Sequence, residues 1–364
     1  MAGQLRAIVA KASEILFEEA YTMKNIIWEP LSRDGVIRAV ERKNPPRIPL
    51  VMAKWWGEGL EEQYGTRLKQ FDTYPEDVVF VWLHELIEYE KMELSWDIPQ
   101  SGAHDARAIV DDWTKLDEFI AKLPDPEKDT RFDQIAITAR KARAEDRYLM
   151  FAWWRLFFER PWEIRGMTNL LMDYYTAPEQ VHKLYAALCK TYLGYLQRAI
   201  REIQPDGFWT SDDLGHQTNL FMRPATFREF LKPYYQRIGD LLKEHHIHWW
   251  LHSCGDNTLI LDDLIEVGLT VFHPVQKGTM DEKAIAEKYG DRLTFLAGFD
   301  VQHVLQEADP DGVRAEVRFV MDTFNRPDGG LCIAAGNGII SGTPFDNIEA
   351  FLDEAVKYGT QICR

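Results

Sequence analysis

Short apolar runs recur along this chain, each ending in polar or aromatic residues. Residues 47–52, 78–83, 148–153, 207–210, 247–251, 271–273, 293–297 and 331–335 read as strands, being brief, apolar and bounded by turn formers. Between them the apolar period changes to 3.6, most clearly over 161–175, 178–203, 224–244 and 344–358, which read as helices. Eight such strands in alternation with helices predict an α/β fold of the (β/α)8 TIM-barrel class. An open doubly wound sheet is the alternative, but no Gly-x-Gly-x-x-Gly follows any strand, so that fold would lack its commonest cofactor site. Residues 1–46 read as an N-terminal helical extension, stopped by Pro45 and Pro46. Residues 95–145 are charged and punctuated by proline, and read as an insertion with helices over 111–123 and 132–145. No linker or composition break divides 1–364, so a single barrel domain is expected.

In such a barrel the C-terminal strand ends form one rim, where the chemistry collects. The rim residues are Trp55, His84, Arg155, Asp212, Asp213, His252, Cys254, Gln276, Asp300 and Asn337. At their centre stands Trp249-Trp250-Leu251-His252-Ser253-Cys254-Gly255-Asp256. A strand there delivers an imidazole and a thiol one residue apart, followed by a glycine. Nitrogen and sulfur donors on so short a leash suit zinc. Each residue also has a plain structural reading. Cys254 reads equally as a core cysteine, Asp212 or Asp213 as a helix cap, Gln276 as a turn residue and Asn337 as a left-handed turn between glycines.

Composition narrows the field. The chain has 364 residues, 46% hydrophobic and 27% charged, with no apolar stretch of membrane-spanning length. Residues 1–23 lack the apolar block and cleavage site of a signal peptide, so a cytoplasmic location is expected. Four cysteines in a chain this long form no disulfide framework. The net charge of -16 excludes nucleic acid as a natural partner and disfavours large polyanionic substrates. Twelve tryptophans are many, and several fall near strand ends, where aromatic rings line small-molecule pockets.

Longer motifs carry a resemblance. His252-Ser253-Cys254-Gly255, then Asp262-Asp263-Leu264-Ile265-Glu266-Val267-Gly268 and Pro274-Val275-Gln276, resemble the uroporphyrinogen decarboxylase superfamily. So do Leu296-Ala297-Gly298-Phe299-Asp300-Val301-Gln302 and Thr343-Pro344-Phe345-Asp346-Asn347-Ile348-Glu349-Ala350. Asp212-Asp213-Leu214-Gly215-His216-Gln217 and Phe230-Leu231-Lys232-Pro233-Tyr234 are similar to its middle. The likeness is good over 145–360 and weak before, and it implies a (β/α)8 barrel.

The superfamily holds two chemistries. Its decarboxylases carry an Arg-rich segment after the first strand, where this chain has Lys54-Trp55-Trp56-Gly57-Glu58-Gly59, and His84-Glu85 stands in the region of their catalytic aspartate. The other branch, the zinc-dependent corrinoid methyltransferases, carries His-x-Cys after a strand and a second Cys much later. His252 and Cys254 match that pair. Cys332 has nearly the spacing of the second Cys but begins a strand, about five residues or ~16 Å before the rim. Asn337 holds the register position, so Cys332 is expected to be a buried structural thiol.

The resemblance thus implies a methyltransferase that moves a methyl group between a small substrate and the cobalt of a separate corrinoid protein. The partner is required because no Asp-x-His-x-x-Gly is present in this chain. His252 and Cys254 are assigned to zinc, with Asp212 or Asp213 as acid/base or as a further ligand. His84, Arg155 and His216 are assigned to positioning the substrate. Trp55, Trp56, Trp82, Trp154 and Trp209 are read as pocket walls suited to a flat methoxylated aromatic. Porphyrinogen decarboxylation and a non-catalytic ligand-binding barrel are the competing readings.

Overall fold

The structure is a computed structural model, and it describes residues 28–98 and 108–363. The expected helices over 1–27, and residues 99–107 of the 95–145 insertion, lie outside the described residues. Seven parallel strands form one sheet in chain order: β1 (Val78–Trp82), β2 (Tyr148–Trp153), β3 (Gly207–Ser211), β4 (His248–His252), β5 (Val271–His273), β6 (Thr294–Phe299) and β7 (Leu331–Ala335). Each is five or six residues long except three-residue β5.

The eighth expected strand, 47–52, is an extended segment rather than a full strand. It closes the ring nonetheless. Leu50 bridges Ile333 of β7 in parallel, and its carbonyl accepts the Asp77 N–H at 2.9 Å just before β1. Pro49 has no N–H to give, and Met52 turns to a left-handed φ of 55°, so the ladder cannot extend. Helices cover the outside, as the parallel sheet requires. The longest are Pro178–Glu202 after β2, Phe345–Gln361 after β7 and Pro310–Phe324 after β6. The insertion between β1 and β2 contains helices Leu116–Ala121 and Arg131–Ala144.

Alternation along the strands sorts two cores. Trp249 and Leu251 face the helices, whereas Trp250 joins Tyr148, Met150, Ala152, Trp209, Val271, Leu296 and Cys332 in the barrel interior. The N-terminal helix Arg33–Val40, capped by the Ser32 side chain, plugs the bottom of that interior with Val36, Ala39 and Val40. Asp77 braces the same end. Its carboxylate, fully buried, pairs with Arg47 at 2.7 Å and takes the Leu31 and Leu50 N–H groups. No helix among the described residues is long and apolar enough to cross a membrane.

Candidate functional site

The inward parity of each strand continues past its end, and it selects which loop residue reaches the site. On β3 the inward series is Trp209, Ser211, Asp213. On β4 it is Trp250, His252, Cys254. The register pairs Ser211 with His252 and His252 with His273, placing them in one layer across three strands.

Three side chains meet at this rim. His252 Nε2 lies 3.4 Å from Cys254 Sγ and 3.7 Å from Asp213 Oδ1. All three ligand atoms fall within 4.8 Å of one another. Tetrahedral zinc with bonds of about 2.0–2.3 Å spaces its ligands about 3.5 Å apart, so the separations fit such an ion. The donor set of one imidazole, one thiol and one carboxylate also suits zinc and leaves a fourth position. His252 is 5% exposed. Burial holds its imidazole below the ordinary range against the pull of Asp213, so the ring is neutral, as a ligand must be. Burial pushes the Cys254 thiol well up, helped by the charges of Asp213 and Glu159. A cation in the cluster would reverse that and hold the thiolate.

The loops are built to bring these groups together. Asp213 Oδ1 accepts the Cys254 N–H at 2.8 Å, and Gln276 Oε1 accepts the Gly255 N–H at 2.8 Å. Gly255 takes a φ of 81°, and a Cβ there would stand 2.2 Å from the Gly215 carbonyl carbon. Only glycine permits that approach of the β3 and β4 loops. Asn257 holds the turn by donating to the carbonyls of Ser253, Cys254 and Gly255.

Asp212 has outward parity and a different task. Its fully buried carboxylate accepts the N–H groups of Phe157, Phe158 and Glu159 and the Tyr235 hydroxyl, at 2.5 to 3.0 Å. Burial pushes it up to about 6, against the pull of these four donors. It pins the loop after β2. Glu159, absent from the expected site, hydrogen-bonds Ser211 Oγ at 2.5 Å beside the cluster. Burial and the charges of Asp213 and Asp212 raise its carboxyl well above the ordinary range. Its place on a helix start, not on a strand end, hid it from sequence reasoning.

Aromatic rings wall one side. Trp55 stacks on Trp154 at 5.7 Å, Trp154 on Trp82 at 5.0 Å, and Trp82 on exposed His84 at 5.2 Å. Trp55 and Trp154 both meet His252 edge-on, at 6.0 and 6.3 Å, and Trp209 lies beneath it at 6.1 Å. Trp56 does not join them, packing instead on Phe71. On the other side of Cys254 opens a small cleft lined by Gln276, Lys277, Asp300, Gln302, His303 and Asn337. Asp300 caps its own turn through the Gln302 and His303 N–H groups, and Asn337 takes the Gly338 N–H.

Two expected positioning residues are engaged elsewhere. Arg155 is bound to Glu85 at 2.9 Å. His216 packs on Phe221 in a separate depression beside Tyr174 and Tyr175. Cys332 is fully buried in the interior of β7, with its thiol pushed well up by burial.

The family described as uroporphyrinogen decarboxylase (URO-D) matches residues 68–358. The chain belongs to that family. It is 21% identical to the uroporphyrinogen decarboxylase of Alcanivorax borkumensis, over 91% of this chain and 98% of that one. It is 24% identical to that of Methylibium petroleiphilum, over 91% and 96%. A solved methyltransferase from Methanosarcina mazei shares the fold with a TM-score of 0.65 at 14% identity, covering 91% of this URO-D member and 99% of that chain.

Proposed function

We propose that this URO-D family member is a zinc-assisted methyltransferase acting between a small methoxylated aromatic and a corrinoid protein. The observation that carries the reading is the Asp213, His252 and Cys254 cluster at the open end of the barrel. His252, Cys254 and Asp213 would hold the ion. When bound, zinc supplies Lewis acidity at the ether oxygen. The rest falls to the chain. The Trp55, Trp154 and Trp82 stack offers faces against which a flat ring packs, and their bulk keeps water from the buried side of His252. Gln276 and Asp213 hold the Cys254 turn in place.

The cleft does not favour a polycarboxylate. Lys277, its lysine among the described residues, is paired with Glu316 and Glu282, and Arg155 nearby with Glu85. A porphyrinogen would meet spent cations on an acidic chain.

The test is elemental analysis of protein purified without chelators, followed by methyl transfer from methoxyarenes to a reduced corrinoid protein. About one zinc per chain, lost in Cys254→Ser, and methylated corrinoid are expected. Uroporphyrinogen supplied anaerobically should be returned unchanged. Its turnover at about 1 per second or faster would overturn the reading in favour of decarboxylation.

A further inference from the structure

His273 ends β5, is 1% exposed and belongs to no ligand set. Its ring nevertheless faces the cluster's histidine. His273 Nδ1 lies 2.7 Å from His252 Nδ1, with the two rings tilted by 34°. Its other nitrogen, Nε2, lies 3.2 Å from the Ala335 carbonyl oxygen at the end of β7.

These two contacts determine where the protons are. A carbonyl oxygen only accepts, so His273 Nε2 carries a proton and donates it to Ala335. The His273 ring is buried, and its two nitrogens are taken by an imidazole and a backbone carbonyl, so no counter-ion touches it and the ring is neutral. Its Nδ1 is therefore a bare acceptor. Two nitrogens at 2.7 Å need one proton between them, and that proton sits on His252 Nδ1. His252 is buried as well, and as a neutral ring with its one proton on Nδ1 it keeps a lone pair on Nε2. That lone pair is the atom facing Cys254 Sγ and Asp213 Oδ1.

We propose that His273 is a positioning residue that locks His252 in the Nδ1–H tautomer and so reserves His252 Nε2 for a metal ion. The metal half of this inference rests on the proposed function, while the tautomer half stands on the hydrogen bonds and the burial of the two rings. The backbone carbonyl of Ala335 sets the order of the relay, from β7 through β5 to β4. Outer partners of this kind orient a ligand ring and raise its basicity, and their loss weakens metal binding about 10- to 100-fold.

The deciding experiment is long-range 15N–1H correlation of the metal-free wild-type protein with labelled histidine. His252 should carry its proton on Nδ1 and His273 on Nε2. A proton on His252 Nε2 would overturn the proposal. Zinc affinity by chelator competition gives the second readout. His273→Leu should bind about 10- to 100-fold more weakly. His273→Asn, whose amide oxygen replaces the Nδ1 acceptor, should stay within a few-fold of wild type. A folded His273→Leu with wild-type affinity refutes the positioning role. If that variant does not fold, His273→Asn decides, and a loss as large as that of His252→Ala refutes it. If the wild type binds no zinc, the proposed function fails, and the ring-proton assignment still decides the tautomer.

Discussion

One oxygen of Asp213 accepts the Cys254 N–H at 2.8 Å and stands 3.7 Å from His252 Nε2. The same carboxylate thus shapes the turn that presents the thiol and stands among the groups proposed to hold the ion. Asp213→Asn separates the two roles. Its amide oxygen can still accept the N–H, but the charge is gone. Zinc affinity should fall by about 10- to 100-fold with little change in melting temperature. Chelator competition beside a thermal melt checks this, and unchanged affinity would place the third ligand elsewhere.

Cys332→Ala should keep the metal and the activity. The thiol is sealed in the barrel interior beside Leu296 and Ala334, and its removal leaves a small void. The expected loss is on the order of 1 kcal/mol, read from urea unfolding. A variant stripped of zinc would show that this cysteine reaches the rim after all.

Asp212→Ala should be costly to the fold. It would orphan three buried backbone N–H groups and the Tyr235 hydroxyl. Each unsatisfied donor costs about 1–3 kcal/mol before relaxation or water entry, so a total loss of several kcal/mol is expected. Denaturant unfolding tests it. A variant of native stability that lost activity alone would support the acid/base role instead.

Glu76 gives a pH signature. Burial raises its carboxyl from 4.5 to about 7, opposed by Lys54 and by the Met52 N–H, which it accepts at 2.6 Å. The folded protein therefore holds this proton more tightly than the unfolded chain. The stabilising contribution is complete below pH 4.5 and is lost as pH rises to about 7. Its size is at most about 3 kcal/mol. Glu76→Gln should flatten that part of the stability–pH curve, measured by urea unfolding from pH 4 to 8. A slope identical to wild type would rule out Glu76 as its source.

Local pattern was enough for the barrel. Apolar runs of strand length in alternation with helices leave few ways to bury both faces of a parallel sheet, and seven of the eight expected strands formed. The pair His252 and Cys254 was legible because β4 ends on His252 and its inward parity continues to Cys254, two residues on. The same period separates Asp213 from Asp212, since Asp213 continues the inward series of Trp209 and Ser211. What the pattern could not supply was distance between elements. Only the folded barrel brings Asp213 from one loop onto Cys254 of the next, gives Asp212 its four donors, and sets Glu159 beside Ser211. His273 is the clearest case. As a residue in a three-residue strand it reads as filler. Its meaning comes from His252 on one side and Ala335 on the other, positions separated along the chain by 21 and 62 residues. Hydrogen bonds reach about 3 Å and are indifferent to sequence separation, so closure of the ring, and not any local signal, decides which side chains meet.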